Sequence, residues 1–157
     1  MEIKIVKAKL EDIGSIMNLN QELFNFETYN KFDNTLDSTW PIKNKKYFKD
    51  RIIKNNHLTI IAKIENNIVG YLIGSIQKAE SYRKIKLIAE LENMFIPLNH
   101  RNKGIGNLLV KEFIKWAKSK KVKRVKVIVT AANKHAISFY KKNGFLEHNF
   151  IMEMDLK

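Results

Sequence analysis

The 157-residue chain predicts a single α/β or α+β domain, spanning 1–157, built on a mixed sheet. Three observations lead there. Runs of β-branched residues with period-two alternation take turns along the chain with segments whose apolar residues recur at helical spacing. No internal repeat, low-complexity block or proline-rich linker divides that order, and only 2 prolines occur. Apolar residues make up 45% and aromatics 10%, enough for a core in a chain expected to bury roughly 68 to 70% of its unfolded surface.

The elements follow in order. Ile3 and Ile5 among polar neighbours read as a short amphipathic strand, and Ile13, Ile16, Met17, Leu23 and Phe24 as the apolar face of a helix. From Glu27 to Lys46 the pattern breaks at Asp33, Asn34, Asp37, Ser38 and Trp40-Pro41, marking a loop, before Tyr47, Phe48 and Ile52 suggest a second short helix. Leu58 to Ile64 and Ile68 to Gln77, separated by Glu65-Asn66-Asn67, read as an antiparallel hairpin. A third strand runs from about Ile85 to Ile96 and stops at Pro97, which has no N–H to donate. Ile105, Leu108, Leu109, Phe113, Trp116 and Ala117 then share one helix face, with Lys111, Glu112, Lys115 and Lys118 opposite. Val125 to Val129 is aliphatic enough for a buried strand, and Asn133 is placed to cap a helix carrying Ala136, Ile137 and Tyr140. Gly144 suits a left-handed helix end, and Phe150 to Leu156 is expected to close the chain as a strand.

Lys and Arg number 29 against 16 Asp and Glu, a net charge of +13. Such an excess favours encounter with nucleic acid, an anionic membrane or a phosphorylated cofactor, although abundant lysine, asparagine and isoleucine make part of it plain compositional bias. The absence of cysteine excludes disulfides, thiolate metal sites and a cysteine nucleophile. His57, His100, His135 and His148 stand at no metal-binding interval, so no metal is expected. The first seven residues alternate charges with aliphatics, and no run approaches the roughly 20 apolar residues of a membrane span. A cytoplasmic protein is the expectation.

The chemistry concentrates between Glu90 and Leu109, where a strand, a turn holding Arg101, Lys103, Gly104 and Gly106, and an amphipathic helix follow one another. Free N–H groups at a helix N-terminus attract anions, and glycines let a phosphate approach the backbone. A dinucleotide fingerprint would need a third glycine where Leu109 stands, and no GxxxxGK[ST] loop occurs.

Arg101-Asn102-Lys103-Gly104-Ile105-Gly106 resembles the [QR]-x-x-G-x-[GA] acetyl-CoA signature of the GNAT superfamily of N-acetyltransferases. Leu91 to Pro97 is similar to that family's fourth strand, and Asn133 to Phe145, with Phe139-Tyr140 and Gly144-Phe145, to its second cofactor motif. Order and spacing agree over essentially the whole chain. The resemblance implies a mostly antiparallel twisted sheet with one splayed parallel strand pair and helices on both faces. It implies acetyl-CoA as cosubstrate, its pyrophosphate wrapped by the amides of Asn102, Lys103, Gly104, Ile105, Gly106 and Asn107, with Arg101 and Lys103 adding charge. Backbone groups of Met94 and Ile96, flanking Phe95, would pair with the pantetheine arm, and an amide there would polarise the thioester carbonyl. Asn133 would also contact that arm, and Lys142 the adenosine phosphate.

Acetyl transfer to an amine needs a neutral nucleophile. An alkylamine with a pKa of about 10.4 is neutral to only roughly one part in 2,500 at pH 7, so deprotonation costs about 4.6 kcal/mol. Glu92 is the first candidate base, matching a glutamate of diamine acetyltransferases, and Glu90 the reserve. Both point to one side of a regular strand unless a bulge intervenes. Tyr140 is the candidate general acid for the departing thiolate. The family places acceptor specificity in the first helices and their connection, here residues 21–40 with a net charge of −3. Glu27, Tyr29, Asp33 and Trp40 are candidates there for a polyamine, a small amine, a lysine side chain or a peptide amino terminus. Homodimers are common in the family. Two rivals remain at this point: an acyl-CoA sensor without catalysis, and a nucleic-acid binder using Lys118, Lys120, Lys121, Lys123, Arg124 and Lys126, a run without interleaved aromatics.

Overall fold

A computed structural model describes residues 2–157. Strands β1 (Ile3–Lys7), β2 (His57–Ile64), β3 (Asn67–Lys78), β4 (Leu87–Phe95) and β5 (Val125–Val127) form one sheet in that spatial order. Its first three pairings are antiparallel and only β4 with β5 is parallel. The helices are α1 (Ile13–Tyr29), α2 (Trp40–Lys43), α3 (Lys45–Ile53), α4 (Ile105–Ser119) and α5 (Lys134–Lys142).

Alternation within the strands supplies both faces of the sheet with apolar side chains. Leu58, Ile60, Leu72, Ala89 and Leu91 pack with Leu109, Val110 and Phe113 of α4, while α5 adds Tyr140. On the other face Ile61, Tyr71, Ile73 and Phe95 pack with Ile16 and Leu19 of α1 and Phe48 of α3. Gly74 admits α4 closely: a Cβ there would stand 2.6 Å from the Phe113 ring.

Two sequence expectations fail. The strand expected to Val129 ends at Val127 and is half-buried, with Ile128 66% exposed, because β5 pairs with β4 over three residues only. The closing strand does not form: Phe150 to Leu156 carries the alternation but no partner strand, and Phe150 and Met152 are 84% and 93% exposed. The loop is also shorter than expected, since α1 continues to Tyr29 and Trp40-Pro41 begin α2, where proline's fixed φ suits a helix start.

Candidate active site

Parallel pairing ends with Leu91 opposite Val127. Beyond it, Glu92 to Met94 and Ile128 to Thr130 form opposite walls of a cavity of about 490 Å3. Asn20, Leu23, Phe24 and Glu27 of α1, Leu36 of the following loop and Trp40 at the start of α2 also line it. On α1, positions 20, 23, 24 and 27 follow the helical i, i+3, i+4, i+7 spacing, which brings them to one face. The sequence reading used that spacing for the core and missed Asn20.

Near the wedge, α4 begins without a side-chain cap. Asn102 (φ 60°) and Gly104 (φ 80°) take left-handed conformations, and nothing lies within 4 Å of where a Gly104 Cβ would be. The first-turn amides, including those of Ile105, Gly106 and Asn107, have no intrahelical acceptor, as at any α-helix start. They suit a diphosphate. Gly106 serves another purpose: a Cβ there would meet the Phe139 ring at 3.0 Å and Ile96 at 3.4 Å, so its bareness lets α5 pack on α4.

Arg101 departs from expectation. Its Nε donates to the Ile96 carbonyl at 2.8 Å, and its guanidinium lies 4.5 Å from the Phe26 ring centre and 5.5 Å from that of Phe95. It ties the turn to the sheet through the carbonyl of Ile96, one of the backbone groups expected to meet pantetheine. Lys103 donates to the Asn99 carbonyl at 3.0 Å, Asn107 accepts from Asn143 at 3.1 Å, and Lys142 is exposed. Phe95 and Ile105 are buried in the core, leaving only their backbones to any ligand. Asn133 caps α5, accepting from the Ala136 amide at 3.1 Å, and also lines the cavity.

Tyr140 is 9% exposed, wedged edge-on between Phe139 and Phe145. It lines the cavity, and among the described residues its hydroxyl makes no hydrogen bond. Burial pushes its pKa up, so it carries its proton at neutral pH. That is the state a general acid needs.

The carboxylates sort sharply. A bulge in β4 sets Gly74 opposite Leu91 and Ile73 opposite Asn93, leaving Glu92 unpaired in the register. Glu92 and Asn93 both reach Tyr47 on α3: Tyr47 donates to Glu92 Oε2 at 2.5 Å and accepts from Asn93 Nδ2 at 3.0 Å. Arg51 adds two contacts to Glu92, at 3.0 and 3.3 Å, and lies 4.0 Å from the Tyr47 ring centre. Burial alone would raise the Glu92 pKa, but the Arg51 and Tyr47 hydrogen bonds outweigh it and hold the group below its ordinary value. The sequence marks Tyr47 only as a helix residue and does not single out Arg51; their i, i+4 spacing on α3 is the available signal for the pair. Glu90, the reserve base of the sequence reading, pairs with Lys126 at 3.1 Å and does not line the cavity.

Of the acceptor candidates, Glu27 and Trp40 line the cavity. Tyr29 is 86% exposed at the end of α1, and Asp33 binds the Thr35 amide and hydroxyl at 2.9 and 2.6 Å; neither forms part of the wall. Among the described residues no group of three or more His, Asp or Glu could hold a metal ion, and no helix is long and apolar enough to cross a membrane.

The Glu92 pair makes one stability prediction. A folded-state pKa below the unfolded value of 4.5 means the contribution is present above that pH and is lost as pH falls through the folded value. Glu92→Gln should therefore destabilise the protein at neutral pH and flatten the acid limb of its thermal stability curve. An acid limb identical to wild type would contradict the pairing.

Residues 20–145 match the acetyltransferase (GNAT) family, and the chain belongs to that family. An uncharacterized N-acetyltransferase of Methanocaldococcus jannaschii is 29% identical over 80% of this chain, which spans only 55% of that relative. A spermidine N(1)-acetyltransferase of Thermoplasma acidophilum is 24% identical over 98% of this chain and 97% of its own length. A predicted acetyltransferase of Clostridium acetobutylicum, crystallised with acetyl-CoA, shares the fold with a TM-score of 0.77 at 17% identity, over 98% of this chain and 96% of that one.

Proposed function

We propose that the protein transfers an acetyl group from acetyl-CoA directly to a cationic primary amine. The wedge between β4 and β5 carries this reading: beyond Leu91 and Val127 it opens into a cavity lined by Tyr140 and three carboxylates, and α4 starts uncapped after the turn that follows β4. Family membership, the spermidine-acetylating relative and the acetyl-CoA complex of a neighbour of the same fold support it.

The amides of residues 102–107 hold the diphosphate, with Gly104 supplying the left-handed turn that aims them. The β4 edge beyond Leu91, which β5 leaves unpaired, lies along the pantetheine arm. An amide of the Asn93–Met94 stretch hydrogen-bonds the thioester oxygen as negative charge develops there. Removing one such pre-aimed donor elsewhere costs about 3 to 4 kcal/mol. Tyr140 gives its proton to the departing sulfur. The amine loses one proton before attack, and a cavity carboxylate receives it. Leu23, Phe24, Leu36 and Trp40 surround the amine's alkyl stem, whether that of a polyamine, a lysine or a small amine.

The test is free-thiol release from acetyl-CoA over polyamines, amino acids, aminoglycosides and peptides. Release with at least one primary amine is expected. Coenzyme A binding with no release for any amine would instead identify an acyl-CoA sensor.

A further inference from the structure

We propose that Glu27 is the catalytic base that receives the acceptor's proton, and that Glu92 is a positioning residue pinned by Arg51 and Tyr47. The proposal rests on the acetyl-transfer reading and assigns roles within its site.

In a chain of net charge +13, the cavity wall holds three carboxylates, Glu27, Asp37 and Glu92, and no Lys, Arg or His. A site so stripped of cations draws in an ammonium and can relieve it of a proton. Two of the three carboxylates are already committed. Asp37 Oδ1 binds the Thr39 amide and hydroxyl at 2.9 and 2.7 Å. Glu92 carries the three contacts from Tyr47 and Arg51. Protonating it would strip the half-buried Arg51 of its counter-ion, so the lost pair opposes its use as a base.

Glu27 has neither restraint. Among the described residues its carboxylate makes no hydrogen bond and no salt bridge, and it is half-buried on the cavity-facing side of α1. The Asp33 charge acts on it, Tyr71 of β3 feels its charge, and Asp37, Tyr47, Glu92 and Tyr140 of α5 line the same cavity. Arg51 lies outside that lining and is paired with Glu92. Burial raises the Glu27 pKa above 4.5 and the Asp33 charge raises it further, whereas that of Glu92 is lowered. A carboxylate whose acid form is favoured is the stronger base.

The proton balance closes. An ammonium docks against Glu27 and passes one proton to its carboxylate, which releases it to solvent through the open cavity. The freed nitrogen lone pair forms the N–C bond, the C–S bond breaks and the sulfur takes the Tyr140 proton; the nitrogen's second proton, lost as the amide forms, passes through solvent to restore Tyr140, so the net products are amide, thiol and the one proton released from Glu27. Glu92 acts at a distance through the β4 bulge: the clamp ties α3 to Glu92 and Asn93 and so fixes where the next amide points.

The experiment measures kcat against pH for thiol release with butylamine and with 1,4-diaminobutane at saturation, for wild type, Glu27→Gln, Glu27→Asp, Glu92→Gln and Arg51→Met. Coenzyme A affinity is measured separately by calorimetry. Glu27→Gln should lower kcat about a hundredfold and abolish the acid limb of the profile while binding coenzyme A normally. Glu27→Asp should restore the limb. Glu92→Gln and Arg51→Met should share a lower kcat with the limb in place. Loss of the limb in Glu92→Gln with its retention in Glu27→Gln overturns the proposal, as does a limb unchanged in both. A wild type that binds coenzyme A but acetylates neither amine overturns it too. One that binds no coenzyme A overturns the parent reading instead.

Discussion

Tyr140→Phe should lower kcat about a hundredfold while leaving coenzyme A affinity within about twofold, the loss typical of removing one general acid. The reason is local. The ring is held edge-on by Phe139 and Phe145, and the phenylalanine keeps every one of those contacts. Only the hydroxyl goes, and among the described residues it bonds to nothing, so folding has little stake in it. The departing thiolate, with a thiol pKa near the ~8.5 of cysteine, then leaves without its proton donor. Stopped-flow thiol release with calorimetric coenzyme A binding separates the two effects. An unchanged kcat at saturating substrate would make Tyr140 a packed aromatic and nothing more.

Gly106→Val should be the most damaging single change in the signature. A Cβ already meets the Phe139 ring at 3.0 Å, and valine's two methyls must displace it from the groove between α4 and α5. Overpacking of this kind costs about 1 to 3 kcal/mol. At about 2 to 4 °C per kcal/mol for a chain of this size, the melting temperature should fall by several degrees. Phe139 stacks edge-on with Tyr140 at 5.1 Å, so the displaced ring also disturbs the proposed acid, and activity should fall further than stability alone explains. Gly104→Ala provides the contrast: with nothing within 4 Å its cost is confined to a φ of 80°, and it should weaken coenzyme A binding with little thermal loss. A Gly106→Val protein with wild-type melting temperature and activity would show that Phe139 relocates freely.

What was legible in the sequence was local. The hairpin through Glu65-Asn66-Asn67, the α4 face from Ile105 to Ala117 apart from the exposed Leu108, the Asn133 cap and the left-handed Gly144 stand as read, because each is decided by neighbours a few residues away. What depended on distant partners was not legible there. Period two placed Glu90 and Glu92 together, yet the cavity excludes Glu90, and Arg51, 41 positions away in the chain, claims Glu92. Arg101 carries the signature's charge but spends it on Ile96 and two rings that no spacing rule connects to it. The tail from Phe150 to Leu156 has the alternation of a strand, but alternation cannot supply the neighbouring edge that a strand needs.

Amide resonances provide the sharpest test of the wedge. Titrating coenzyme A into isotope-labelled protein should shift the backbone N–H signals of residues 102–107 together with those of Asn93 and Met94, and leave the Lys118 to Lys126 run unmoved. Shifts confined to that basic run, or none in the turn and on β4, would contradict a diphosphate at the start of α4 and a thioester lying along the opened strand.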